Sequence, residues 1–148
     1  MTAVPVASRR KGARRDRSRH LRPTLVKELK SSPKIRALRE GDWTDYDDVD
    51  RPAVRRGSRL EPKDIPLRLA EWAHEELTVL KDAGTPAAPE RPLQVGIPSY
   101  LDLALFMFGP LGAVRYGAVL RQTVATQVDQ IVALGGDTVV LQLETRPR

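Results

Sequence analysis

Apolar residues recur along this chain at two different periods, and the periods mark out its elements. Between about Ile65 and Ala83, the residues Leu69, Trp72, Ala73, Leu77 and Leu80 stand three or four positions apart. That spacing gathers them on one side of an α-helix. Pro66 is tolerated in its first turn, Asp64 complements the positive end of its dipole, and Gly84 supplies a stop. Leu93-Gln94-Val95-Gly96-Ile97, bounded by Pro92 and Pro98, predicts a short strand. Ser99 opens the next helix, and Ser99 with Asp102 has capping-box spacing, Asp replacing the commoner Glu. Leu101, Leu103, Leu105, Phe106, Met107 and Phe108 make this segment apolar nearly all round, which predicts burial. Gly109-Pro110-Leu111-Gly112 is expected to break it. A longer helix follows from about Ala113 to Leu134, with Leu120, Val124, Val128 and Ile131 as its inner stripe. Gly135-Gly136 stops that helix, and Thr138–Leu143 reads as a buried strand.

The first half is less regular. Arg22 to Ser31 predicts a short helix, with Pro23 in its first turn, Leu25, Val26 and Leu29 on one face, and Ser31-Ser32-Pro33 as its end. Ile35 to Leu38 reads as a short extended piece. Gly41 to Asp50 is a loop rich in aspartate. Arg51 to Pro62, with Pro52 and Gly57, predicts no regular element. Thr85–Pro92, holding Pro86, Pro89 and Pro92, reads as a rigid linker. Residues 1–20 lack apolar periodicity and are expected to be disordered. Leu93–Leu143 is therefore strand, helical crossover, strand. Such a unit has parallel strands and a right-handed crossover. The expected class is α/β, with a parallel βαβ unit at residues 93–143 inside a domain of residues 23–148.

Charge changes this picture at one end only. Residues 1–22 hold eight basic residues against one acid, a local +7 in a chain whose total is +6. The remaining body is close to neutral, so the high isoelectric point belongs to the tail. Arg9, Arg10, Lys11, Arg14, Arg15, Arg17 and Arg19 are candidate phosphate contacts, whose alternative reading is a solvated terminus. There is no cysteine, which removes disulfides and thiolate metal sites and fits a reducing cytoplasm. No secretory signal is visible. The most apolar stretch, Leu101 to Val114, is interrupted by Asp102, Gly109, Pro110 and Gly112 and is expected to be too short and broken to span a bilayer. A soluble cytoplasmic protein without a membrane partner is expected.

Few residues offer chemistry. Asp42, Asp45, Asp47, Asp48 and Asp50, interleaved with Trp43 and Tyr46, could hold a hard cation through oxygen, or could be solvated or paired with Arg51, Arg55 and Arg56. The string lacks the glycine and terminal glutamate of a calcium-binding EF-hand loop. His20 and His74 have no second histidine at ligand spacing, so a zinc pair is not supported. Gly96, near a strand end, allows close approach of a ligand or another backbone. Backbone N–H groups opening the Ser99 helix are placed to bind an anion; the alternative is a tight strand-to-helix turn. Gln142 and Glu144 alternate with Leu141 and Leu143 and so point to one side of the last strand.

Three strings carry a family resemblance. Arg39-Glu40-Gly41-Asp42-Trp43-Thr44-Asp45-Tyr46-Asp47-Asp48 resembles the loop R-E-G-x-W-[ST]-D-Y-D-D of uncharacterised bacterial proteins related to cobalamin-independent methionine synthase. These belong to the barrel superfamily that includes uroporphyrinogen decarboxylase. Leu93-Gln94-Val95-Gly96-Ile97-Pro98 is similar to their F-Q-V-G-[LIV]-P strand, and Val139-Val140-Leu141-Gln142-Leu143-Glu144 to the strand ending near Q-x-[DE]. The resemblance covers about residues 32–144. It implies a (β/α)8-type fold with a pocket at the carboxyl ends of the strands, and small-molecule chemistry of the methyl-transfer type. It places Gln142 and Glu144 at the polar strand end where the relatives contact substrate. Trp43, Asp45, Gly96 and Ser99 are further candidate substrate contacts, with packing on the body as the alternative for Trp43. The cysteine of the synthase zinc site has no counterpart here, and Q-x-[DE]-E-P becomes Gln142-Leu143-Glu144-Thr145-Arg146-Pro147. No zinc or other cofactor is therefore expected.

A complete (β/α)8 barrel needs roughly 200 residues or more, against 148 here. The expectation is a partial, truncated barrel of two or three βα units, methyltransferase-like by resemblance alone and with little activity by itself. Its partners would be a small-molecule substrate, a second copy, or a missing barrel half. The alternative is a nonspecific nucleic-acid-binding or protein-interaction module that uses the arginine-rich tail.

Overall fold

The structure is a computed structural model that describes residues 24–42 and 48–144. Helix α1 covers residues 24–30. Leu25, Val26 and Leu29 lie on its inner face and are almost fully buried, as their spacing requires. The helix closes through Ser31, whose hydroxyl donates to the Glu28 carbonyl at 2.6 Å. Strands β1 (Ile35–Arg39) and β2 (Arg51–Val54) then pair antiparallel, Ile35 opposite Val54 and Ala37 opposite Pro52. The sequence predicted no element over Arg51–Pro62, so β2 is a correction. Pro52 lacks a donor, but in a two-stranded sheet each strand has an open edge where none is needed.

The connection between β1 and β2 is anchored by carboxylates at its base. Asp50 is buried, accepts from the Gly41 backbone N–H at 2.9 Å and meets the Lys30 ammonium at 3.2 Å. Burial works against the Lys30 charge, but the hydrogen bond and charge of Asp50 outweigh it and hold the Lys30 pKa above its ordinary value. Asp48 accepts from the Asp42 N–H at 3.1 Å and pairs with Arg39 at 3.6 Å. An added Cβ at Gly41 would meet the Asp48 carbonyl oxygen at 2.5 Å, so the two sides of the loop approach as closely as glycine permits.

Helix α2 is Leu69–Asp82, shorter than the predicted 65–83 span. Its lead-in is a 3-10 turn, Pro62–Asp64, then an extended piece that buries Ile65 and Leu67. Asp64 does not sit at a helix dipole. It accepts from the Lys34 ammonium and the Glu61 backbone N–H, each at 2.8 Å. Leu69, Ala70 and Ala73 face the core, with Trp72, Leu77 and Leu80 packed beside them. Gly84, at φ 71°, ends the helix. Thr85–Pro92 contains a tight turn, with paired backbone bonds between Ala88 and Arg91.

The rest follows the predicted order of strand, crossover and strand, but the last strand is not buried as expected: Val139 alone of its residues is buried, and Val140 and Leu143 are exposed. Strand β3 (Leu93–Pro98) pairs parallel with β4 (Val139–Glu144), Leu93 beside Val139 and Pro98 beside Glu144. Helix α3 (Tyr100–Gly135) connects them. Ser99 caps it by accepting from the Asp102 N–H at 3.4 Å. The interruption is narrower than the expected four residues: only Gly109, at φ 70° and ψ −175°, leaves the helical region. Pro110 then starts the second half, a position where its missing N–H costs nothing. Leu103, Met107, Leu120 and Ile131 from both halves are fully buried with Leu29 and Ile35. The apolar stretch expected to end near Val114 is continued by the second half of α3. Tyr100–Thr138 is long and apolar enough to cross one by length and composition, with a mean hydropathy of 1.5 over 18 residues. Leu111 and Val114 on it are each 88% exposed.

The described residues thus form a mixed α/β body with two two-stranded sheets; no barrel is closed among them. The tail of residues 1–22 lies outside the described residues.

The ion pairs make the fold sensitive to acid. The Lys34 hydrogen bond holds the Asp64 carboxyl below the usual carboxylate range, and Asp64 in turn holds Lys34 above the usual lysine range. A depressed carboxyl stabilises the fold above its unfolded pKa, about 4, and loses that contribution as pH falls through the folded value. The raised Lys34 contributes below its unfolded pKa and loses its contribution as pH rises through its folded value. The melting temperature is therefore expected to fall below about pH 4. Asp64→Asn should lower it at neutral pH and flatten the acid limb in pH-dependent thermal unfolding. An unchanged acid limb would contradict this assignment.

Candidate substrate-binding face

The β3–β4 pair has two unlike faces because side chains alternate along a strand. Leu93, Val95, Ile97, Val139 and Leu141 belong to the core side, against α3 and α2. Gln94, Gly96, Pro98, Val140, Gln142 and Glu144 share the opposite side. Gln94, Gln142 and Glu144 on it are exposed. The structure brings three of the expected site residues together there. Gly96 lies beside Gln142 in the register, and the Glu144 side chain folds over Gly96: an added Cβ would contact Glu144 Oε1 and fall 3.0 Å from its Cδ. The glycine is thus the floor on which the carboxylate rests.

Gln94 joins this group, and its side-chain amide donates to Gln142 Oε1. Sequence reasoning did not select Gln94. The period-two alternation that placed Gln142 beside Glu144 also places Gln94 beside Gly96, and that signal was available. Together these residues offer two amides and one carboxylate to a polar ligand. Glu144 is the one titratable side chain among the six positions of this face, so the arrangement offers polar contacts to a ligand. It does not supply a paired acid and base.

Ser99 sits at the carboxyl end of β3 but is used by the fold. Its N–H donates to the Glu144 carbonyl at 3.2 Å and its hydroxyl caps α3. The strand-to-helix turn is thus the role the structure gives it, and the bond ties the end of β4 to the start of α3. Trp43 and Asp45 lie outside the described residues, as do the tail positions Arg9, Arg10, Lys11, Arg14, Arg15, Arg17 and Arg19. Of the aspartate loop, Asp48 and Asp50 pair with Arg39 and Lys30. His74 is exposed on α2. Among the described residues no three His, Asp or Glu side chains converge as a metal site.

No family model, curated protein or solved structure matches this chain.

Two glycine substitutions separate the candidate site from the scaffold. Gly96→Ala requires only the flexible end of Glu144 to move, so the melting temperature should stay close to that of the parent. Gly41→Ala meets backbone atoms of Asp48 and Val49 and should cost about 1–3 kcal/mol. Chemical denaturation of both variants checks this. Equal losses would mean that the Glu144 side chain is as fixed as the loop backbone.

Proposed function

We propose that this chain is the βαβ portion of a methionine synthase-like (β/α)8 architecture. In this reading the Gln94–Gly96–Gln142–Glu144 face is one wall of a small-molecule pocket. The observation that carries it is the two-faced parallel pair, one side packed on helices and the other polar and open. In a (β/α)8 barrel, too, helices cover the outer face of each strand and ligands lie near the carboxyl strand ends, where Gln142 and Glu144 stand. The three motif strings, at residues 39–48, 93–98 and 139–144, support the same reading. Methyl transfer is the chemistry that resemblance implies.

A single carboxylate with two amides is a binding wall, so methyl transfer by this chain alone should be weak or absent. Among the described residues β3 and β4 each keep one unpaired edge, a template for further strands. The partner that completes the sheet is a second copy or another barrel segment. We place the protein in the cytoplasm, a reading supported by the absence of cysteine and by the burial of Leu103, Met107, Leu120 and Ile131 within the fold.

Sedimentation velocity over a range of concentrations tests the proposal. The chain should associate as concentration rises, and Leu143→Lys, at an exposed position of β4, should shift it toward monomer. A methyl-donor assay on the same samples should show no turnover. A cooperatively folded monomer that turns over a methyl donor would contradict the reading. Recovery in the membrane pellet would contradict the cytoplasmic placement.

A further inference from the structure

Four arginines line one cleft between the β1–β2 hairpin and α3. Arg36 comes from β1, Arg55 and Arg56 from the turn after β2, and Arg115 from α3, with Val54, Gly57 and Tyr116 completing the lining. Its volume is about 540 Å³, within the range of small-ligand sites. No carboxylate lines it, and none of the four arginines has a carboxylate partner among the described residues. By contrast, Lys30, Lys34, Arg39, Lys63 and Arg68 are all ion-paired. The body is near neutral, so this cluster does not follow from a general excess of cations.

The cleft is also held in place. The Arg55 N–H donates to the Lys34 carbonyl at 2.7 Å, and the Ser58 N–H donates to the Arg55 carbonyl at 3.0 Å. Gly57 at φ 81° makes the turn that carries Arg55 and Arg56. The Arg115 guanidinium lies 5.6 Å from the centre of the Tyr116 ring, a cation–π distance. That ring packs on Phe108 with centroids 5.0 Å apart. Like charges gathered in one concavity repel until a multiply charged anion enters. Guanidinium groups match phosphate oxygens with paired hydrogen bonds.

We propose that this cleft binds a phosphate-bearing ligand through Arg36, Arg55, Arg56 and Arg115. It is built from different residues than the β3–β4 face and stands whether or not the methyl-transfer reading does. The phosphate belongs either to a free phosphorylated small molecule or to a nucleic-acid backbone.

Calorimetric titration of the full chain with sodium pyrophosphate at low ionic strength tests the site. Anisotropy of a labelled single-stranded oligonucleotide is followed in parallel. Arg36 and Arg115 are exposed, so Arg36→Gln with Arg115→Gln should fold normally, as circular dichroism can verify. The double variant should weaken pyrophosphate binding by about tenfold or more. Arg121→Gln, exposed on α3 outside the cleft, should change it by less than about twofold. If oligonucleotide binding is lost in the same double variant and displaced by pyrophosphate, the ligand is a nucleic-acid backbone. If oligonucleotide binding is unchanged while pyrophosphate binding is lost, it is a free phosphorylated molecule. Absence of pyrophosphate binding, or equal losses in the double variant and Arg121→Gln, would overturn the proposal.

Discussion

Two neighbouring parallel strands cannot be joined by a tight turn, and most of this fold follows from that restriction. β3 and β4 are paired in the same direction, so the chain must travel back along the sheet before it can form the second strand. α3 makes that return. It must begin where β3 ends, which fixes Ser99 as its cap, and it must stop sharply enough to release β4, which Gly136 at φ 51° and the Thr138 bond to the Gly135 carbonyl accomplish. Because α3 lies on one side only, the strands acquire an apolar face beneath it and a polar face opposite. The candidate binding wall is thus a consequence of the crossover.

The remaining elements close the apolar side. α2 packs on α3, and the Gln127 side chain reaches across to accept from the Ala70 N–H at 2.9 Å, satisfying a donor at the start of α2. α1 and the β1–β2 hairpin add Val26, Leu29 and Ile35 to the same core. Charge is arranged around this packing in two ways. Lys30, Lys34, Arg39 and Arg68 are joined to carboxylates that tie α1, the hairpin, the 3-10 turn and α2 together. Arg36, Arg55, Arg56 and Arg115 are left facing one cleft. The first set stabilises the fold, and the second is available to a ligand.

The βαβ unit was legible because its signals are local: prolines bounding Leu93–Ile97, a cap at Ser99, a stripe through Leu120 and Ile131, and paired glycines before Val139. β2 was not legible. Its residues include Pro52 and flank several arginines, and its strand character comes from pairing with β1 across the loop, a long-range cause that no local window contains. The start of α2 was misplaced for a similar reason, since Asp64 is held by Lys34 of a distant segment. At Gly109 the composition exaggerated the break, because Pro110 can open a helix as readily as end one. Alternation predicts that Gln142 and Glu144 share one face; that Gly96 lies beside Gln142 follows from the parallel register, which no local pattern gives. The arginine cleft joins Arg36 and Arg115, 79 positions apart, and no spacing in the sequence connects them.

The parallel register of β3 and β4 is the central claim, and nuclear Overhauser contacts between backbone protons measure it directly. Sequential cross-strand contacts should run in the same direction, from Leu93 with Val139 through Gly96 with Gln142 to Pro98 with Glu144. An antiparallel pattern, or no contacts between the two segments, would contradict the crossover and with it the two-faced sheet.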